Sequence, residues 1–429
     1  MERTMLFTKM PEQLLASRVQ TTFGQSKIQL DSTARRPSRA PTRAIHRAFA
    51  SGVLPALLVS VALGGTTAAA APGVTCGSTV TTDVTLTADL HCPSGDGIIL
   101  GSNVTLDLGG HSLVGGGSSG VGVQTVFLSQ GGNTIRNGTI ENWGTGILLQ
   151  EQNTNGVPYT VSDVVVLNSP VINLVGGPLR LIRVTAVDSR IVGELGGDLA
   201  ISLSRLTRSA VNVFIASAII TDSTLVQSPV SSSAQGQIII DSSTLDGKGT
   251  SALGSVSETT ITINNSIVKN FQEPISGFWG GVSLTDNKFT DMPNGVLGDI
   301  SSHLGSDGTS DISGNTFTRS GVVLQGNVPM IVENNTFKQN EVGVVFTRSA
   351  PLPGDPPFTA DGSRAVGNVL TKNTGTGIQT DLPGLAVGGN TATKNGGYGI
   401  YAPGAVDLGG NIAFGNTLGQ CVGVVCASK

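Results

Sequence analysis

Apolar and polar residues alternate in short runs along most of the chain, and one arrangement of them returns at intervals. Between 263 and 416 it reads Gly, Asn or Asp, then Asn, any residue and an apolar residue, often with a second Asn three positions later. The apolar members are Ile267, Phe289, Phe317, Phe337, Leu370, Ala392 and Ala413. Their separations of 20 to 33 residues, without helical periodicity, predict a solenoid of short strands.

The residues around the repeated Asn suggest how each coil turns and how the coils stack. Gly, Asn and Asp stand just before it, and these types best tolerate the positive φ of a sharp corner. An Asn that points inward in successive coils can hydrogen-bond to the Asn above and below it. We predict such a ladder through seven consecutive coils, from Asn265 to Asn411.

The same frame extends toward the N-terminus. The apolar series continues through Leu245, Leu225, Leu206, Ala186, Val166, Ile140 and Leu113. In these coils the ladder position holds Ser243, Ser223 and Ser204, then Val184, Val164, Gly138 and His111. Leucine-rich repeats have a similar period but need a Leu skeleton. We therefore predict an all-β protein, a single parallel β-helix of about 13–14 coils.

Residues 1–70 differ in composition from the rest of the chain. They contain nine of the 25 Lys and Arg residues, followed by an apolar run from Val53 to Leu63 and small residues from Thr66 to Ala71. This order predicts a secretory leader that is cleaved near Ala70. The apolar run is too short to span a membrane. We expect a secreted protein whose mature part, residues 71–429, is one β-helix without a transmembrane segment, capped near 71–100 and 414–429.

The charge balance limits the expected partners. Three of the 29 acidic residues also precede residue 71, which leaves 16 basic and 26 acidic residues and a net charge of −10 in the mature chain. An acidic rod repels a phosphate backbone, and no basic stripe with interleaved aromatic residues is evident, so nucleic acid is not an expected partner. An anionic polysaccharide would need an Arg cluster or a bridging Ca²⁺.

The four cysteines lie at the two ends of the mature chain. In an exported protein their spacing predicts two local disulfides, Cys76 with Cys92 and Cys421 with Cys426. The spacing lacks the CxxC pairs of a zinc site. We expect the disulfides to stabilise two caps over the open ends of the coil stack.

The resemblance to a known family rests on three features. They are the repeats, the segment Leu106-Asp107-Leu108-Gly109-Gly110-His111 and the ending Gln420-Cys421 to Cys426. Together they resemble secreted bacterial right-handed parallel β-helix repeat proteins, whose fold is similar to that of pectate lyases. The resemblance covers nearly all of residues 74–426. It implies little about function, because that superfamily includes lyases, hydrolases, epimerases, surface-binding proteins and copper-site maturation factors.

The catalytic motifs of those enzymes are not found in the sequence. The Asn-Thr-Asp, Asp-Asp and Gly-His-Gly segments of β-helical glycoside hydrolases do not occur, and neither does the lyase set of Trp, Asp and His with an Arg base. We interpret His111 as structural. Turn formation is the favoured role for the acids near corners, with Ca²⁺ binding as the alternative: Asp163, Asp188, Asp222, Asp241 and Asp286. No cofactor is otherwise predicted.

Insertions mark the most plausible place for a site. Residues 150–159, 300–310 and 349–364 interrupt the repeat 10 to 12 residues after the apolar position, which predicts one common corner. The second and third insertions supply the candidate catalytic residues Asp299, His303, Asp307, Arg348, Asp355, Asp361 and Arg364. They could provide an acid, a base and a cation for a uronate or sulfate. Solvated loops without a site are the alternative.

Two further features are aromatic and cationic. Trp143 should lie at a corner, and Trp279 lies in a Gly-rich loop; both are candidates for stacking on sugar rings, with packing under a loop as the alternative. Five arginines are crowded into two coils and could form an anion-binding patch: Arg180, Arg183, Arg190, Arg205 and Arg208.

Two functions follow as hypotheses. The first is an exported β-helix that binds polysaccharide or cell-envelope material along its lateral face and is not an enzyme. The second is a secreted polysaccharide lyase or glycoside hydrolase with its site between the insertions at 300–310 and 349–364. The missing catalytic motifs favour the first.

Overall fold

The structure is a computed structural model. It describes residues 73–428 except 118, 127–130, 151–155, 175–176, 250–254, 273–274, 279–280, 296, 302–308, 327–328, 349–359 and 361. The predicted leader, residues 1–70, lies outside these residues. The described part of the chain forms 43 β-strands and no helix, as the all-β prediction requires. It accordingly has no helix with the length and apolar character of a membrane span.

The strands stack in parallel into three long sheets, because each coil contributes about one strand to each sheet in turn. The first sheet contains β1 (Ser78–Val80), β4 (Ile98–Leu100), β7 (Val121–Thr125), β9 (Thr145–Gln150), β11 (Val171–Leu174), β14 (Ile191–Glu194), β17 (Val211–Phe214), β24 (Ile275–Phe278), β27 (Leu297–Ser301), β30 (Val322–Gly326), β33 (Val344–Arg348), β36 (Ile378–Thr380), β39 (Tyr398–Tyr401) and β42 (Gly419–Val422).

The second sheet follows the first in each coil. It contains β2 (Val84–Thr85), β5 (Thr105–Asp107), β12 (Leu179–Ile182), β15 (Leu199–Ser202), β18 (Ala218–Thr221), β25 (Val282–Thr285), β28 (Ser310–Ser313), β31 (Met330–Glu333), β34 (Arg364–Val366), β37 (Ala386–Gly388) and β40 (Val406–Gly409). Two long strands serve both the first and the second sheet, β20 (Val230–Asp241) and β22 (Ser255–Asn264).

The third sheet carries the repeated apolar residues. It contains β3 (Leu90–Cys92), β6 (Ser112–Gly115), β13 (Thr185–Val187), β16 (Arg205–Thr207), β19 (Thr224–Val226), β21 (Thr244–Asp246), β23 (Ile267–Lys269), β26 (Lys288–Thr290), β29 (Thr316–Thr318), β32 (Thr336–Lys338), β35 (Val369–Thr371), β38 (Thr391–Thr393), β41 (Asn411–Phe414) and β43 (Cys426–Ala427). Two strands serve both the second and the third sheet, β8 (Thr134–Glu141) and β10 (Tyr159–Leu167).

The predicted apolar series is confirmed as a column of buried side chains that pair coil by coil. Leu113 pairs with Ile140, and the series continues in register through Leu225 and Leu245. One member is wrong. Ile267 is 43% exposed, and the fully buried Val268 pairs with Phe289 instead. Three polar residues precede Ile267, so the pattern was matched one position early, which turns the side chain to the opposite face. A parallel β-solenoid of about fourteen coils is confirmed.

The ladder at the corner between the second and third sheets is confirmed, with one change at its start. The Asn members are Asn287, Asn315, Asn335, Asn368, Asn390 and Asn411, all buried. Ser266, and not Asn265, fills the preceding position: its N–H donates to Asn287 Oδ1 at 2.9 Å. Asn265 occupies the exposed positive-φ residue of that corner instead. The ladder therefore has six Asn coils where seven were predicted.

Serines continue this ladder toward the N-terminus, as the sequence indicated. The N–H groups of Ser204 and Ser223 donate to the hydroxyl oxygens of Ser223 and Ser243, each at 3.1 Å. The N–H of Val184 donates to Ser204 Oγ, which is the first bond of the series. His111 is not part of it, because its side chain is about one-third exposed and lies 3.5 Å from Asp89.

Both predicted disulfides are present, Cys76–Cys92 near the N-terminal end of the solenoid and Cys421–Cys426 near the C-terminus. The C-terminal segment is also held by Asp407, whose carboxylate accepts the N–H of Val425 at 2.8 Å. That hydrogen bond, with a second from the N–H of Gly409, holds the pKa of Asp407 below its usual value.

Candidate functional site

The three insertions share one corner, as predicted. Each begins after a strand of the first sheet, β9, β27 or β33, and ends at a strand of the second sheet, β10, β28 or β34. The larger two are flanked by neighbouring parts of the solenoid, because β28 pairs with β31 and β31 with β34.

Most of the candidate catalytic residues lie outside the described part of the chain. These are His303, Asp307, Asp355 and Asp361, together with Trp279 among the candidate sugar-binding residues. For Asp299 and Arg348, the structure describes the backbone. Asp299 is in β27 opposite Gln325, and Arg348 ends β33, so both belong to the first sheet. Their catalytic roles stay predictions.

Arg364 is the candidate residue whose side chain the structure describes. It lies near two acids, Glu333 and Asp311, that were not candidates. It begins β34 on the second sheet, and its guanidinium pairs with Glu333. That pairing, with the negative charge of Asp311 nearby, raises the pKa of Arg364. Asp311 Oδ1 is buried without a hydrogen-bond partner among the described residues. Arg364 is therefore engaged by its own neighbours at the foot of both insertions.

Trp143 lies at a corner as expected, but its ring does not face solvent. The side chain is 1% exposed, and its indole N–H donates to the Leu113 carbonyl at 3.1 Å. A Cβ added at Gly115 would approach the ring to 2.5 Å, so glycine makes the space that the indole fills. The prediction that Trp143 stacks on a sugar is therefore wrong, and its ring packs within the corner instead.

Two of the five crowded arginines are neutralised across coils. Arg183 donates to both carboxylate oxygens of Asp163 at 2.6 and 2.7 Å, and Arg208 donates in the same way to Asp188. These bonds lower the pKa of both aspartates. Asp163 and Asp188 also adopt positive φ, which supports their predicted role in turns. The five arginines therefore do not form one cationic patch.

A groove opens at the corner between the third and first sheets. It has a volume of about 770 Å³ and crosses three successive coils, through 291–295, 319–323 and 339–342. Its corner residues Asp291, Arg319 and Gln339 all have positive φ, so equivalent turns stack to form one wall. Two positions before these corner residues, the fully buried rings of Phe289, Phe317 and Phe337 stack at 5.0 and 4.9 Å inside the solenoid.

The groove combines apolar and polar surfaces. Val323 contributes an exposed apolar side chain, while Gln339 and Glu341 are exposed polar ones. Arg319 forms a two-point ion pair with Asp291, which lowers the pKa of that carboxyl. Glu341 forms no ion pair with any residue described in the structure. An apolar floor with a rim of amides and charges matches the faces and hydroxyls of a sugar.

Other polar pockets and exposed rings lie along the first sheet. A pocket of about 320 Å³ brings Arg190, Glu194 and Asn212 together beside Phe214, whose ring is 42% exposed. Near the C-terminal end of the same sheet, Tyr401 is exposed and its ring lies 5.3 Å from that of Tyr398. Apart from Arg190, these residues were not predicted from the sequence, because outward-facing positions do not follow the repeat.

Part of the chain matches a known protein family. Residues 237–428 match NosD, described as a periplasmic copper-binding protein. The NosD match spans less than half of the chain and contains the whole Asn ladder. No curated protein matches the chain.

One solved structure is similar. It is the catalytic unit of the thermostable GH87 alpha-1,3-glucanase from Streptomyces thermodiastaticus strain HF3-3, with 15% identity and a TM-score of 0.27. The match covers 81% of this chain and 65% of that one, so the chain spans less than two thirds of its length. This similarity implies nothing about the activity of the chain.

The described residues do not provide the ligands of a copper site such as the description of NosD implies. The described residues contain no group of three or more His, Cys, Asp or Glu that could hold a metal ion. All four cysteines are in disulfides, and Met292 and Met330 are buried in the core. This part of the chain does not fit a copper site.

Proposed function

We propose that the protein is an exported β-solenoid that binds carbohydrate or cell-surface material along its side, with the groove from Asp291 to Val342 as its main site. The observation that carries the proposal is the open groove across three coils, with an apolar floor and a polar rim. A site of this shape suits a polymer that lies on the surface, because each coil repeats the same turn along the groove.

Binding of a polysaccharide panel to the full chain tests the proposal. The double variant Gln339→Ala/Glu341→Ala removes two exposed rim groups and should weaken binding of the preferred polymer about tenfold. The matched control Gln237→Ala/Glu141→Ala removes the same residue types from coils outside the groove and should leave affinity unchanged. Equal affinity for all three proteins would remove the groove from the proposal.

The same incubation distinguishes binding from catalysis. New reducing ends or unsaturated products, with or without Ca²⁺, would replace the proposal with the lyase or hydrolase alternative, in which the candidate residues at 299–307 and 348–364 act on the polymer. Binding without new ends supports a non-catalytic role.

A further inference from the structure

The lysines of the described chain all lie on one side of the solenoid. Each is in a strand of the third sheet or in the corner that directly follows it, within three positions of the buried apolar residue of its coil. They are Lys248, Lys269, Lys288, Lys338, Lys372 and Lys394. Arg319 occupies the equivalent corner of the one intervening coil that has no lysine. Seven successive coils thus carry one such cation each, which we call the lysine stripe.

Some cations of the stripe are paired with acids and others are free. Asp246 accepts both Lys248 and Lys269, at 3.1 and 3.5 Å, and Arg319 is paired with Asp291. The remaining four, Lys288, Lys338, Lys372 and Lys394, are exposed and form no ion pair with any described residue. They span five coils, or about 20 Å along the axis at the usual strand spacing.

The side chains between these lysines are mostly threonines. Thr316 pairs with Lys288 and with Thr336, while Lys338 pairs with Thr318 and with Thr371, so hydroxyls and ammonium groups share one flat surface. From Lys248 to Thr393, Ile267 and Val369 are the two apolar residues that face outward on this sheet among the described residues, and none is aromatic. The surface offers no ring for a nucleobase and little apolar area for a lipid tail.

We infer that the lysine stripe binds a linear anionic polysaccharide with one carboxylate per sugar ring, lying parallel to the solenoid axis. Four of the five coils from Lys288 to Lys394 carry a free cation, so successive free cations lie one or two coils apart, and the coil spacing of about 4.8 Å is close to the advance of a polymer by one uronate ring. Ammonium groups neutralise the carboxylates, and the threonine hydroxyls can bond to the sugar hydroxyls. The inference rests on the proposed binding of carbohydrate but assigns an acidic ligand to a neighbouring surface, which shares Arg319 with the groove.

The overall charge makes the stripe selective. The mature chain has a net charge of −10, so a polyanion is repelled elsewhere and attracted where four cations stand together. A narrow line of charge suits a single-stranded polymer better than a duplex or a membrane. Both of these would bring phosphates against other parts of this acidic chain.

Affinity of the full chain for a linear galacturonate homopolymer tests this inference. The variant Lys338→Gln/Lys372→Gln/Lys394→Gln should lose about tenfold or more in affinity. Raising the salt from about 0.05 to about 0.2 M should weaken wild-type binding by a similar factor, because exposed charges are screened over about 10 Å or less. Replacing the same lysines by arginine should restore binding, since it keeps the charge.

The matched control removes three charges from coils that precede the stripe. Arg180, Arg190 and Arg205 are exposed and form no ion pair with described residues, so Arg180→Gln/Arg190→Gln/Arg205→Gln changes net charge equally. It should keep wild-type affinity; a loss equal to that of the lysine variant would overturn the inference. Equal or tighter binding of single-stranded DNA or phosphatidylserine vesicles would also overturn it.

The outcomes separate this inference from the proposed function. Binding of neutral polymers that depends on Gln339 and Glu341 but not on the lysines would leave the groove standing and refute the stripe. Uronate binding that depends on the lysines alone would support the stripe and refute the groove.

Discussion

The coils from Ser204 to Ser266 and those from Asn287 to Asn411 fill the same corner with different side chains. In the serine coils each hydroxyl accepts the N–H of the preceding coil and donates within its own coil, as Ser223 does to the Thr221 carbonyl at 2.7 Å. In the asparagine coils the side chain contacts both neighbours. Asn335 Oδ1 accepts from Asn315, while its Nδ2 donates to the Ile312 carbonyl and to Asn368 Oδ1.

The difference coincides with the features that bear on function. The asparagine coils carry the groove, the four unpaired lysines and the two larger insertions, and they lie within the NosD match. A long insertion separates adjacent coils by up to 33 residues, and an amide that bonds to both sides can hold the register across it. The serine coils, with separations of 19 to 23 residues, keep register with two side-chain hydrogen bonds fewer per coil.

The largest expected effect comes from removing one asparagine. In Asn335→Ala the N–H of Asn315 loses its acceptor, the Nδ2 of Asn315 loses one of its acceptors, and the Ile312 carbonyl loses a donor. Buried polar groups left without partners should lower the free energy of unfolding by about 3–5 kcal/mol. Ser223→Ala leaves the N–H of Ser204 unbonded and should cost about 1–2 kcal/mol. Urea denaturation of both variants measures this contrast, and equal losses would show that the two ladders are equivalent.

A smaller, pH-dependent effect is expected at Asp246, where the serine coils meet the asparagine coils. Burial raises the pKa of this carboxyl, but hydrogen bonds from the Asn270 amide and the Lys248 N–H, with the lysine charges, outweigh burial and lower it. Because the folded pKa lies below the unfolded value, the stabilisation is complete above about pH 4 and is lost as the pH falls through the folded pKa.

Comparison with Asp246→Asn isolates that contribution. The variant should be less stable by about 1–3 kcal/mol at neutral pH, and the difference should be constant from pH 8 to 5 and shrink below about pH 4. Unfolding free energies measured across this range provide the check. A difference that grows on acidification would mean that the ion cluster destabilises the fold.

The smallest effect has the opposite sign and belongs to the N-terminal coils. Ile215 is 41% exposed and has a φ of 49°, a conformation that costs a β-branched residue about 1–2 kcal/mol. Ile215→Asn should therefore raise the melting temperature, by an amount that corresponds to a gain of about 1 kcal/mol or less in the free energy of unfolding. Ile219→Asn, equally exposed but in a regular strand, should not. A rise in both variants would trace the effect to surface polarity.

Much of the solenoid could be predicted from the sequence because an inward-facing position recurs once per coil. The column from Leu113 to Ala413, the Ser and Asn ladders and the shared corner of the insertions follow from that recurrence, while both disulfides follow from the local spacing of the cysteines. The error at Ile267 arose where Asn264, Asn265 and Ser266 gave two alignments of equal merit. Only burial of Val268 decides between them.

Outward-facing residues were harder to predict, because their partners depend on the register between coils. Arg183 and Arg208 looked like parts of a cationic patch until their pairing with Asp163 and Asp188 was seen. A signal for the lysine stripe was present, since each repeat from Leu245 to Ala392 has a cation within three positions of its apolar residue. The burial of Trp143 had no such signal, because the space for its ring comes from Gly115, 28 positions earlier.

Chemical labelling of lysines tests most directly that the asparagine coils present the binding side. Acetylation of the full chain, followed residue by residue by mass spectrometry with and without the galacturonate polymer, reports on each ammonium group. Protection of Lys288, Lys338, Lys372 and Lys394 by several-fold, with a smaller change at Lys248 and Lys269, is the predicted result. Unchanged or uniform labelling of all six while the polymer is bound would contradict it.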